Sequence, residues 1–168
     1  MKKIFITTVF TALLFTSCIK NEEVIFKGSQ VEFDAAIWNA NSAGITYPIL
    51  TRIPAQGIAT PTSQPTLTRT SGTVQLRVNL VGAQSSSPIT FNYQVVSGET
   101  TAVAGTHFTA LSGTGTIPAN SSFGLISVDI LNPGATSGSK VLVLQLIDGA
   151  GSKVSFNYSK VGLSISQS

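Results

Sequence analysis

The segment Thr73–Leu80, TVQLRVNL, constrains the fold more than any other part of this chain. Val74, Leu76, Val78 and Leu80 fall on one face of an extended backbone and Thr73, Gln75, Arg77 and Asn79 on the other. A period of two belongs to a strand that buries one face and wets the other, and no helix can satisfy it. Ile89–Val95, ITFNYQV, repeats the pattern: Ile89, Phe91, Tyr93 and Val95 alternate with Thr90, Asn92 and Gln94. FGLISVDIL and KVLVLQLID are apolar on both faces and predict central strands. SFNYSKVGLSI changes phase near Val161–Gly162, which predicts a bulge. Between these runs stand the turn clusters PAQGIATPTSQP, GAQSSSP, NPGATSGS and DGAGS. No strong strand has an internal proline, as pairing on both sides requires. Many short strands with regular turn signals predict an all-β, immunoglobulin-like antiparallel β-sandwich. The Cys–Trp–Cys core of antibody domains is absent, since Cys18 is the only cysteine. The loop Pro54–Gly72 is long for a sandwich connection and reads as an extended edge or a flap.

The start of the chain has a different composition. Lys2 and Lys3 precede an uncharged apolar run, Ile4–Phe15, then the small residues Thr16 and Ser17, then Cys18. A positive end, a short apolar stretch and small residues form the order of a secretory signal, and the run is too short to span a bilayer. With a cysteine directly after the small residues, the segment resembles a bacterial lipoprotein signal. That resemblance implies cleavage after Ser17 and a diacylglycerol on the Cys18 sulfur. Residues 1–17 are then the signal peptide, 18–27 a lipidated tether and 28–168 a single β-sandwich domain. The acidic pair Glu22–Glu23 resembles the export tag of Bacteroidota-type surface lipoproteins, although a solvated tether reads the same way. The implied localisation is an exported protein, lipid-anchored to the outer membrane and surface-exposed, whose first partner is the membrane.

Charge narrows the functions further. The whole chain carries ten basic and seven acidic side chains, for a net +3, and loss of Lys2 and Lys3 leaves +1. No basic run exists and aromatics do not interleave with Lys or Arg, which argues against nucleic acid.

The segment GTVQLRVNLVG…SGSKVLVLQL is similar to the Calx-beta repeat over roughly residues 72–147. Ala102-Val103-Ala104-Gly105-Thr106-His107-Phe108 occupies the position of that family's Ala-x-x-Gly-x-Asp-Tyr element. Ser112-Gly113-Thr114 and Pro118-Ala119-Asn120 follow in the family's order. The resemblance implies a Calx-beta-like sandwich of the kind found in uncharacterised Bacteroidota-type surface lipoproteins. It does not bring a metal with it. Ca²⁺ takes 6–8 oxygen ligands, several of them carboxylates. Here His107 replaces the family's aspartate and the loop after Asn132 has no acid. No metal and no cofactor is expected.

Catalysis is equally unannounced. No Gly-x-Ser-x-Gly elbow occurs, and the acids beyond the tether, Glu32, Asp34, Glu99, Asp129 and Asp148, are scattered. The single histidine, His107, is expected to cap a turn by donating to backbone rather than to serve as a base. The chain is therefore read as a non-enzyme. Two candidate ligand contacts remain. Continuing the strand from Val31 through Phe33, Ala35 and Ile37 puts Trp38 on the polar face with Glu32 and Asp34. There it is a platform for a sugar ring, or a cover for a sheet edge. Tyr47 before Pro48 is the second platform, Tyr158 a third, and each also reads as a core or strand-end residue. The expected function is a non-enzymatic surface lipoprotein binding a glycan or an envelope protein. The alternative is a structural or adhesive spacer joined by strand addition; a hydrolase is the remaining class.

Overall fold

The computed structural model describes residues 28–37, 44–58, 63–149 and 151–168. The signal, the tether with Cys18, and Trp38 lie outside the described residues. Nine strands occur among those described: β1 (Gln30–Phe33), β2 (Ile49–Leu50), β3 (Thr73–Val81), β4 (Ile89–Val95), β5 (Thr114–Ile117), β6 (Phe123–Asp129), β7 (Ser139–Ile147), β8 (Lys153–Val154) and β9 (Lys160–Ser166). They form two facing sheets, one of order β6-β3-β1-β8 and one of order β2-β9-β7-β4-β5. Most neighbours are antiparallel. β1–β8 and β2–β9 run parallel, so both sheets are mixed. Among the described residues no helix is long and apolar enough to cross a membrane.

The alternation read from β3 and β4 is what fills the space between the sheets. Val74, Leu76, Val78 and Leu80 are buried, as are Phe91 and Tyr93. They meet Phe33, Ile126, Leu142, Leu144, Leu163 and Ile165 in one contiguous core. A fully buried side chain of this size contributes about 1.5–3 kcal/mol relative to exposure. Two glycines set how closely the elements approach. Phe91 lies across its register partner Gly115, where a Cβ would enter the ring. Gly124 lets β6 come against the backbone of Thr116 and Ile117, so the edge strands β5 and β6 close one side of the sandwich.

Three expectations are corrected. β7 is central, but β6, also apolar on both faces, is an edge strand. Its outward Phe123 is covered by Arg77, whose guanidinium carbon sits 4.2 Å from the ring centroid. No bulge interrupts β9: the pairing with β7 runs without a break from Gln145↔Lys160 to Ser139↔Ser166. The phase change arises because Phe156 and Tyr158 precede the strand.

The first strand also stops early. β1 ends at Phe33, and Ala35–Ile37 forms a 3₁₀ turn. The Asp34 carboxylate captures the Ala36 N–H at 3.1 Å, an Asx-type bond that offers the backbone an alternative to the ladder. Asp34 is 4% exposed and so does not lie on an open polar face. Its other oxygen accepts the Gly57 N–H at 2.6 Å, pinning the 54–58 loop to the four-stranded sheet. Of the Pro54–Gly72 segment, the described residues Thr66 and Thr68 form single bridges, to Arg52 and Ser166.

Candidate functional site

Tyr47, one of the two sequence candidates, lies beside β9 on the outer face of the five-stranded sheet. Val161, Leu163 and Ile165 of β9 point into the core, which turns Lys160 and Gly162 outward. The tyrosine ring passes Gly162 so closely that a Cβ there would be 3.5 Å from Cε2. The Gly162 N–H donates to the Pro48 carbonyl at 2.8 Å, fixing the approach. Tyr47 is consequently only 9% exposed. Its ring face is not an open platform; the residue is a foundation for its neighbours.

Those neighbours are Glu99 and Lys160. The Lys160 Nζ donates to Glu99 Oε1 at 2.8 Å and stands 4.9 Å from the Tyr47 ring centroid. The Tyr47 hydroxyl donates to the same carboxylate. Glu99 reaches them from the turn after β4, closed by its own N–H on the Val96 carbonyl at 3.1 Å. Where β4 leaves the sheet, Thr100 Oγ1 and Thr101 Oγ1 accept the N–H groups of Val143 and Val141, at 3.0 and 2.8 Å, and hold this turn along β7. The electrostatics follow from the contacts. Lys160 and then the Tyr47 hydroxyl hold the Glu99 carboxyl below the ordinary carboxylate range. Burial, with Glu99 beside it, pushes the Tyr47 phenol up to about 12.

Beside this trio the chain crosses from β8 in one sheet to β9 in the other. The crossover is anchored by the Phe33 N–H on the Tyr158 carbonyl and the Leu146 N–H on the Ser159 carbonyl, both at 2.8 Å. Between Ser155, whose N–H donates to the Val31 carbonyl at 2.9 Å, and the Tyr158 anchor, Phe156 stands 96% exposed. A cavity of about 480 Å³ opens here, lined by Thr46, Tyr47, Phe156, Asn157, Ser159 and Lys160. That volume falls within the range of about 300–1,000 Å³ usual for ligand sites. Its lining combines an exposed aromatic ring with an amide, two hydroxyls and the Lys160 ammonium, which Glu99 pairs at the border of the cavity. Phe156, Glu99 and Lys160 were not singled out from sequence. The one local signal was that Phe156 falls out of phase with β9.

Elsewhere the polar side chains serve the fold. His107 closes the Ala102–Phe108 turn, but by accepting: its Nδ1 takes the Val103 N–H at 3.0 Å. The expectation that it donates is therefore reversed. Asp129 accepts the Thr73 hydroxyl at 2.7 Å, and Asp148 takes Lys153 at 2.8 Å. Among the described residues no group of three or more His, Cys, Asp or Glu side chains converges as metal ligands would.

Comparison with known proteins agrees with this architecture. The family model described as "Domain of unknown function (DUF4843)" matches residues 65–157. Among solved structures, the apo form of the Calx CBD1 domain superposes with a TM-score of 0.51 at 14% identity, covering 82% of this chain and 96% of that one. CBD12 from CALX1.2 gives 0.50 at 15% identity, covering 81% of this chain and 45% of that one, so the present chain spans less than half of its length. No curated protein matches. The sandwich is Calx-beta-like in fold, and at these identities the likeness is one of fold alone.

Proposed function

Since this chain belongs to the family described as "Domain of unknown function (DUF4843)", we propose that it acts as a non-enzymatic binding module, held at the cell surface by a lipid on Cys18, whose ligand seats in the Phe156 cavity. The ligand is a glycan or a protein of the same envelope. The observation that carries this reading is the exposure of Phe156 beside a fixed donor–acceptor pair. A phenyl ring left almost wholly in water contributes little to folding, whereas its apolar area is available to a partner.

Two further observations support the reading. Four of the five acids beyond the tether are held in hydrogen bonds: Asp34 to the Gly57 loop, Glu99 to Lys160 and Tyr47, Asp129 to Thr73 and Asp148 to Lys153. The spacer alternative requires a long free edge for strand addition. Here the edge strands β2 and β8 are two residues each, β5 is four, and β6 is packed against β5. Short edges resist added strands. The lipid anchor rests on the order Lys2–Lys3, Ile4–Phe15, Thr16–Ser17, Cys18. Two or more acyl chains anchor stably where one holds only marginally.

The test is capture. Full-length chain in detergent, incubated with solubilised envelope material, should retain a component that Phe156→Ala and Lys160→Met fail to retain. Equal retention by the variants, or retention of nothing by any of the three, refutes the proposal.

A further inference from the structure

Resting on that reading, we infer that the ligand class of the Phe156 cavity is a neutral pyranose carbohydrate, with the sugar ring laid on Phe156 and its hydroxyls read by Asn157, Ser159 and the Lys160–Glu99 pair. Among the described residues Lys160 is the one cation of the lining, and its ammonium is 2.8 Å from Glu99, so these residues present no uncompensated charge. An anion such as phosphate would be set against the Glu99 carboxylate beside the same ammonium, and a cation would be set against Lys160. A ligand without charge disturbs neither.

The remaining chemistry is suited to hydroxyls. An ammonium has three donors, and one is used on Glu99, leaving two to point outward. A carboxylate has about four lone-pair sites, of which Lys160 and Tyr47 take two. A pair of adjacent sugar hydroxyls, each both donor and acceptor, meets a fixed donor beside a fixed acceptor without rearrangement. The Asn157 amide and the Thr46 and Ser159 hydroxyls add groups of the same dual character.

The aromatic side completes the match. A pyranose carries an apolar C–H face opposite to the edge crowned with hydroxyls. Phe156 offers a flat apolar surface and no hydrogen-bonding group of its own, so it selects for that face and leaves the polar reading to its neighbours. Tyr47 is not a second stacking surface. It lies between Gly162 and Lys160, and its hydroxyl on Glu99 sets the carboxylate's position. Its role is to position the pair that contacts the ligand.

The experiment uses full-length chain in detergent and three sets of probes: neutral polysaccharides and their methyl pyranosides, acidic polysaccharides, and inorganic phosphate. Binding is followed by saturation-transfer NMR and calorimetry. At least one neutral glycan should bind, with saturation transfer strongest on the protons of one ring face. Phe156→Ala should weaken it about tenfold or more, Phe156→Tyr should retain it, and the melting temperature should be unchanged because Phe156 is exposed. A chain that binds only acidic glycans or phosphate overturns the neutral class, as does neutral-glycan binding that Phe156→Ala leaves intact. The envelope component captured in the preceding test should be destroyed by periodate and survive protease. If it is protease-sensitive and periodate-resistant, yet still lost in Phe156→Ala, the carbohydrate inference fails while the binding-module reading stands. If nothing depends on Phe156, both fail.

Discussion

Replacing Asp34 with alanine isolates one buried carboxylate and the loop that depends on it. Asp34 is 4% exposed and accepts from the Ala36 N–H at 3.1 Å, the Gly57 N–H at 2.6 Å and Asn79 Nδ2 at 3.4 Å. The third, at 3.4 Å, is too long to contribute comparably. Hydrogen bonds to a charged acceptor contribute about 1.5–3 kcal/mol each, so two of them set a ceiling of about 3–6 kcal/mol. The Gly57 loop borders solvent, and water will replace part of what is lost. Asp34→Ala should therefore destabilise the fold by about 3 kcal/mol, read as a lower urea midpoint with unchanged slope. The loss has a location as well as a size. Once released from Gly57, the 54–58 loop should become a site of early cleavage in limited proteolysis, while the core strands stay protected. Asp34→Asn retains one carbonyl acceptor but turns an amide donor toward the other N–H, so it should recover only part of the stability. If Asp34→Ala changes the midpoint by less than the equivalent of about 0.5 kcal/mol and leaves the cleavage pattern alone, the carboxylate does not pin the loop.

Gly124→Ala should cost about 2 kcal/mol in chemical denaturation, because the added Cβ meets the backbone of Thr116 and Ile117 rather than a side chain that can move; a neutral result would mean that β5 and β6 can separate freely. The trio at the site makes stability depend on pH at both ends. Glu99 has a lowered value in the folded state, so its contribution is present above the ordinary carboxylate value of 4.5 and is lost as pH falls through the lowered one. Tyr47 is raised, so its contribution is intact below 10.0 and is lost as pH climbs toward about 12, which thermal melts across that window measure. In Glu99→Gln the phenolate difference absorbance of Tyr47 should appear at lower pH but still above 10.0, since burial, the largest cause, remains. Cys18→Ala should move the protein from the membrane fraction to the soluble one, and mass spectrometry of the wild-type amino end should find acyl chains on that residue; persistence of Cys18→Ala in the membrane would remove the anchor.

What could be read from the sequence and what could not divide along a physical line. β3 and β4 were legible because each residue of TVQLRVNL and ITFNYQV meets either core or water, and a period of two records that directly. β6 misled because Phe123 and Leu125 are apolar and outward-facing without being central. The charged side chain that covers Phe123 belongs to Arg77 on the neighbouring strand, where the sequence of β6 holds no record of it. Asp34 misled in a different way: it sits at a position that the strand phase assigns to solvent, and only the arrival of Gly57, twenty-three residues on, makes burial there tolerable. The candidate site lies at the far end of this scale. Glu99 and Lys160 are sixty-one residues apart, and Tyr47 comes from a third region again. Each alone is an ordinary polar residue at a strand end or turn. The chain nevertheless limits how such a site can arise. With charged residues at 10% of the composition, the outer face of a sheet has few fixed charges, and two of opposite sign within hydrogen-bond distance cancel as a field while remaining as a donor and an acceptor. A surface built in this way can recognise a partner by the directions of its hydroxyls but cannot attract it by charge, and its binding should change little with ionic strength.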